Sequence, residues 1–190
     1  MKKNFDKMWY MIISLVGMKH VGKSTLLAKL KKDGSCIDLD DEIEGAYQKK
    51  NKIHKSTREI YSILGAKAFR AYESTILEDI CKQLQLDPVP LVFLATGGGI
   101  AEYEPSMCIL QKHTRIIHLL SDVETIWKRI IENGIPAYVS SQTKEEFLEI
   151  MKTRTKIYSA YTSHTINANL PVTSQRREVL SLARKEKESN

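Results

Sequence analysis

The chain has 190 residues, 42% hydrophobic and 27% charged, which suits one compact domain with a real core and excludes a repeat or low-complexity protein. Its formal net charge is +6, but the lysines are scattered, and their one cluster, "KLKKDG", falls at the end of a predicted helix, where cations complement the helix dipole. Neither nucleic-acid binding nor a membrane span is therefore expected. The three separated cysteines, Cys36, Cys81 and Cys108, fit small buried apolar residues in a reducing cytoplasm rather than a disulfide framework or a zinc site.

In chain order, "MKKNFDKMWYMIISLVG" reads as a solvated leader entering a buried strand at 10–16, because the apolar run is short and leads directly into a glycine-rich loop. That loop, Gly17-Met18-Lys19-His20-Val21-Gly22-Lys23-Ser24, matches G-x-x-x-x-G-K-[ST] between this strand and a helix at 23–32. Its backbone amides suit a polyphosphate at a positive helix terminus. Lys23 is placed to reach the β- and γ-phosphates, and the Ser24 hydroxyl to coordinate magnesium. His20, Val21 and Thr25 count with Gly17, Gly22, Lys23 and Ser24 as ATP contacts, with no catalytic role for His20.

"CIDLDDEIE" follows, with a strand at 35–38. Asp38 and Asp40, two apart on a strand, share one face at the end where ligands bind in open α/β sheets. N-capping of a helix by Asp40 is the alternative. Helices at 40–49, 56–64 and 66–86 make an extra helical unit, broken at Leu64-Gly65 and stopped by "QLDPVP" before a strand at 90–95. That strand ends in "ATGGG", where a GTPase would show D-x-x-G, and no N-K-x-D motif is present. The remainder alternates helix 104–112, strand 114–119, helix 122–132, the loop "ENGIPAYVSSQTKEE", helix 144–160, strand 163–167 and helix 173–186. Such alternation predicts an α/β fold with a parallel sheet covered on both faces. For the loop, composition alone favours an ordinary surface connection over a mobile lid.

Five motifs taken together resemble the shikimate kinase family over nearly the whole chain. They are the P-loop, the Asp38/Asp40 pair with its "EIE", "FRAYE" at 69–73, "ATGGG" at 95–99 and "RTKIY" at 154–158. The resemblance implies a P-loop NTPase of three-layer α/β/α, nucleoside-monophosphate-kinase-like architecture, with a five-stranded parallel sheet in the order 2-3-1-4-5. It further implies a single domain over 1–190, an acceptor-binding helical insertion at about 40–86, a lid at about 133–144, and a cytoplasmic monomer. The implied reaction moves the γ-phosphate of ATP, with Mg2+, to the 3-hydroxyl of shikimate. Asp40 would hold substrate hydroxyls and accept the proton, and Asp38 would support the magnesium shell with Ser24. Arg70 and Arg154 would bind the substrate carboxylate and Gly98 would contact substrate through its backbone. Lys128, and Pro171 in "INANLP", would lie on the ATP side. Guanidinium forks for a carboxylate, and a carboxylate acceptor for ring hydroxyls, agree with that chemistry independently. The bare Gly97-Gly98-Gly99 run leaves room for a ring against the backbone.

One departure stands out. The family's lid carries an arginine before a proline, whereas this chain reads Ile135-Pro136. A transition-state arginine contributes strongly to phosphoryl transfer, so turnover is expected to be slow unless Lys128 or Arg129 substitutes. The alternatives are a catalytically weak or inactive nucleotide- or ligand-binding relative, and a small-molecule kinase of gluconate-kinase type.

Overall fold

The computed structural model describes residues 10–133, 144–162 and 164–188. Five strands, β1 (Met11–Val16), β2 (Ser35–Asp38), β3 (Leu91–Ala95), β4 (Arg115–Leu120) and β5 (His164–Asn167), form one sheet in the order β2-β3-β1-β4-β5. All pairings are parallel. The expected strand order and three-layer arrangement are thus observed.

β1 sits at the centre because it can be buried on both faces: all six of its residues are buried. Alternation then divides its side chains between two cores. Met11, Ile13 and Leu15 enter one core with Leu26, Leu30, Ile130, Phe147 and Val179. Ile12 and Val16 enter the other with Ile43, Phe69, Leu77, Leu110 and Tyr158. Truncating a side chain such as Leu15, which is wholly buried, costs about 2–5 kcal/mol.

The helices are α1 (Lys23–Leu30), α2 (Leu39–Asn51), α3 (Thr57–Leu64), α4 (Ala66–Leu86), α5 (Glu104–His113), α6 (Val123–Asn133), α7 (Lys144–Tyr161) and α8 (Val172–Glu188). α3 starts in a capping box, Ser56 accepting from the Glu59 amide while Glu59 accepts from the Ser56 amide. It ends at Gly65, whose φ of 76° turns the chain into α4. A 3₁₀ turn at Ile100–Glu102, absent from the sequence expectation, follows the glycine run.

Two sequence expectations need revision. Asp40 lies in the first turn of α2, not on the strand, and the N-cap is Asp38, whose carboxylate accepts from the Asp40 amide at 3.2 Å. Strand alternation therefore does not pair these two carboxylates; the turn into α2 does. Of the cysteines, Cys81 is buried and Cys36 half-buried, but Cys108 is exposed. Burial pushes the Cys81 thiol up to about 11, which leaves it unreactive. Among the described residues, no helix is long and apolar enough to cross a membrane. The expected lid, with Ile135, lies outside the described residues.

Candidate active site

The carboxyl end of β1 opens into the glycine-rich loop. Gly17 and Gly22 have φ of 143° and 112°, and His20 has φ of 64°, so the chain curls with conformations that ordinary residues resist. α1 then begins at Lys23 with no side-chain cap, leaving its first amides available to an anion. Lys23 is buried, and its Nζ donates to the carbonyls of Gly17 at 2.8 Å and Met18 at 2.9 Å. Burial lowers its pKa to about 8, against the opposing pull of Asp40 and Asp38. The Ser24 hydroxyl donates to Asp38 Oδ2 at 3.0 Å. Behind the loop, His118 on β4 is buried against the Tyr158 ring. Burial first, and Lys23 second, bring it down to about 4, so it is neutral at pH 7.

A cavity of about 640 Å³ runs over this loop. Its lining includes His20 to Thr25, Asp38, Asp40, Arg129 and the Ala168–Leu170 turn. Lys128 does not line it. The Lys128 side chain is 76% exposed and stands 3.9 Å from Glu132, whereas Arg129 donates to the carbonyls of His20 and Val21 at 3.2 Å each. Pro171 likewise is not in the lining, and Asn169, bonded to the Ser121 hydroxyl, is.

A second, smaller cavity of about 90 Å³ is walled by α3, α4 and the glycine run, including Thr57, Tyr61, Phe69, Arg70 and Glu73. The two cavities share Lys19, Asp40 and Gly98. Asp40 thus stands at their junction. Burial, then the neighbouring Asp38 charge, raises its pKa and makes it a better proton acceptor than an ordinary aspartate.

Each glycine of "GGG" admits a neighbour. A Cβ on Gly98 would collide with the Lys19 backbone, so only glycine lets β3 and the phosphate loop approach this closely. A Cβ on Gly99 would collide with the Arg70 guanidinium. All three glycines also line the smaller cavity, so their missing side chains leave both the packing and that space open.

Those groups form an ion network. Arg70 donates from Nη1 to Glu73 Oε2 at 2.9 Å and from Nη2 to Glu102 Oε2 at 3.2 Å, with Phe69 and Tyr61 rings beside it. Burial opposes the Arg70 charge, but Glu73 and Glu102 outweigh it and raise its pKa. Glu73 is fully buried, and burial raises its pKa against the pull of Arg70. Among the described residues Arg70 Nε and Glu73 Oε1 find no hydrogen-bond partner, although both residues line the small cavity. Arg154 is 2% exposed; it donates from Nη1 to the Gly98 carbonyl at 3.2 Å and from Nε and Nη2 to Glu102 Oε1. Tyr158 donates to the same Gly98 carbonyl at 3.1 Å. Arg70 therefore lines the smaller cavity, while Arg154 lies behind Gly98 and lines neither cavity. Glu73, Glu102, Tyr158 and Asn169 had no site role from sequence, and Arg129 had only that of a candidate substitute for the missing lid arginine.

A phosphate loop on a 2-3-1-4-5 parallel sheet, with a second cavity that meets the first at Lys19, Asp40 and Gly98, defines the class: a P-loop kinase of nucleoside-monophosphate-kinase-like fold. Within that class the chain belongs to the shikimate kinase family, whose family model matches residues 20–183. The shikimate kinase of Lactococcus lactis subsp. cremoris is 30% identical over 157 residues, covering 83% of this chain and 88% of that relative. That of Staphylococcus haemolyticus is 27% identical over 171 residues, covering 89% and 92%. Among solved structures, the Acinetobacter baumannii shikimate kinase in complex with shikimate superposes with a TM-score of 0.75 at 25% identity, covering 94% of this chain and 95% of that one. The shikimate kinase of Bacteroides thetaiotaomicron shares the fold, with a TM-score of 0.72 at 20% identity over 92% and 98%.

Proposed function

We propose that this protein transfers the γ-phosphoryl group of ATP to the 3-hydroxyl of shikimate, giving shikimate 3-phosphate and ADP. The observation that carries the reading is the meeting of the two cavities at Lys19, Asp40 and Gly98, with Lys23 on one side and Arg70 on the other. The shikimate bound in the Acinetobacter baumannii relative supports a carboxylated ring polyol as acceptor. The Arg70 guanidinium and the Glu73 carboxylate, both in the wall of the smaller cavity, fit such a ligand, one as a donor and one as an acceptor.

In this reading the polyphosphate lies along Gly17–Thr25 and against the open start of α1, with Lys23 on the β- and γ-phosphates. Val21 and Gly22 offer backbone to it, and the Ala168–Leu170 turn walls the far end of the cleft. The attacking hydroxyl gives its proton to Asp40 as its oxygen bonds to the γ-phosphorus. The bond from that phosphorus to the β–γ bridging oxygen breaks, and ADP leaves. Arg129, bonded to the loop's own carbonyls, holds the loop in shape and supplies the cation that the sequence lacks at Ile135.

The Ser24 hydroxyl and Asp38 carboxylate offer oxygen ligands only, and no group of three or more His, Cys, Asp or Glu able to hold a metal occurs among the described residues. That donor set suits Mg2+, which takes few protein ligands and shares the rest with phosphate and water. When bound, Mg2+ neutralises charge on the phosphate oxygens. Helices α2 to α4 form the acceptor side of a single domain, and the segment 133–144 is proposed as the lid. Phosphorus NMR and mass spectrometry of a reaction with magnesium-ATP and shikimate test the proposal. A new ester on the 3-hydroxyl in step with ADP is expected; unchanged shikimate would overturn it.

A further inference from the structure

Glu102 belongs to none of the five motifs, yet it touches both arginines that the motif resemblance gives to the acceptor carboxylate, Arg70 in the wall of the smaller cavity and Arg154 behind Gly98. It ends the 3₁₀ turn after the glycine run, where its amide donates to the Gly99 carbonyl at 3.0 Å. From there its carboxylate divides. Oε2 accepts from Arg70 on α4, and Oε1 accepts from Nε and Nη2 of Arg154 on α7. One carboxylate spanning two guanidinium groups is the arrangement that a carboxylated ligand would itself adopt.

Glu73 and Glu102 hold Arg70 in different ways. Glu73 is enclosed, its side chain 1% exposed, and moving it would strand a buried charge. The Glu102 side chain is 42% exposed and sits on a short turn, so its carboxylate can return to water once another anion takes over the buried guanidinium. Of the two carboxylates on Arg70, Glu73 is the fixed partner and Glu102 the exchangeable one. An arriving ligand carboxylate meets arginines already neutralised, and a like charge in its place.

We infer that Glu102 determines acceptor specificity as a resident competitor: the acceptor's carboxylate reaches Arg70 only by displacing the Glu102 carboxylate. This rests on the proposed reading of the acceptor site. The displacement raises the acceptor KM and selects against ligands that offer a carboxylate alone, without hydroxyls to bond elsewhere in the cavity.

The test combines two probes on the full chain. Steady-state kinetics with shikimate compare the wild type with Glu102→Gln, which keeps shape and removes charge, and with Glu102→Ala, which removes the bridge. Calorimetry titrates cyclohexanecarboxylate, a ring carboxylate without hydroxyls, into the same proteins. Glu102→Gln is expected to lower the shikimate KM about tenfold, roughly 1.4 kcal/mol, with kcat and the ATP KM within about twofold of wild type. Glu102→Ala moves the shikimate KM further in the same direction, and cyclohexanecarboxylate binds both variants more tightly than the wild type. If the wild type phosphorylates shikimate but both variants show an unchanged or raised KM, Glu102 only positions the arginines and the inference is overturned while the function stands. If no protein uses shikimate but cyclohexanecarboxylate still gains affinity in the variants, the acceptor assignment fails and the competitor role survives. If no protein uses shikimate and cyclohexanecarboxylate binds all three alike, both readings fail.

Discussion

The phosphate side of the site is made from one contiguous stretch, residues 17–25, and works largely through backbone. The second side, the ion network beside the smaller cavity, is made from Arg70, Glu73, Glu102 and Arg154, which come from α4, the 3₁₀ turn and α7. On the first side glycine conformations and an uncapped helix set the field, and Lys23 is held by two carbonyls of its own loop. On the second, buried charges hold one another in place, and each partner depends on the rest. A loop of backbone tolerates loss of one side chain as a fold but not as a catalyst. An ion network loses binding and stability together.

The largest expected effect separates the two sides. Lys23→Ala should lower kcat by about 10³-fold, the scale of losing a preorganised cation at developing charge, and leave shikimate affinity by calorimetry unchanged. A parallel fall in shikimate affinity would break the comparison. Arg70→Ala should do the reverse on the acceptor side, weakening shikimate by tenfold or more with little effect on ATP. It also leaves Glu73 buried without its cation, so urea unfolding should show a loss of about 3–5 kcal/mol. Adding Glu73→Gln should restore much of the stability and none of the affinity. Full stability in Arg70→Ala alone would show that the network is not coupled.

A smaller contrast lies within α6. Arg129→Ala should weaken ATP by about tenfold, whereas Lys128→Ala, removing an exposed charge 3.9 Å from Glu132, should change nothing measurable. Equal effects would restore Lys128 as the substitute cation. The smallest effect is pH-dependent. In the free protein Lys23 titrates at about 8, protonated below and neutral above, while bound phosphate raises that value again. ATP affinity should therefore be flat at lower pH and fall as pH rises through about 8, with proton uptake on binding. Constant affinity across that range would place the lysine charge outside the binding step.

The same contrast governs what could be read from the sequence. The phosphate loop was legible because every part of it is local: strand, two glycines, lysine and helix in consecutive residues. The five strands were legible from short apolar runs, and their order came with the motif resemblance rather than from any one segment. Asp40 was assigned the right cleft by the wrong geometry, since nothing in "CIDLDDEIE" fixes whether the helix starts before or after it. Lys128 and Arg129 differ by one residue, which on a helix is a rotation of about 100°, so a motif offset of one reverses which cation faces the cleft. Glu102 carried no signal at all. Its role exists only because Arg70 and Arg154, far from it in sequence, arrive at the same carboxylate.

The central claim is that the two cavities serve a donor and an acceptor in one reaction. ADP release from magnesium-ATP, measured with and without shikimate, tests it most directly. Release that rises steeply with shikimate and saturates is the predicted result. A rate indifferent to shikimate would contradict it.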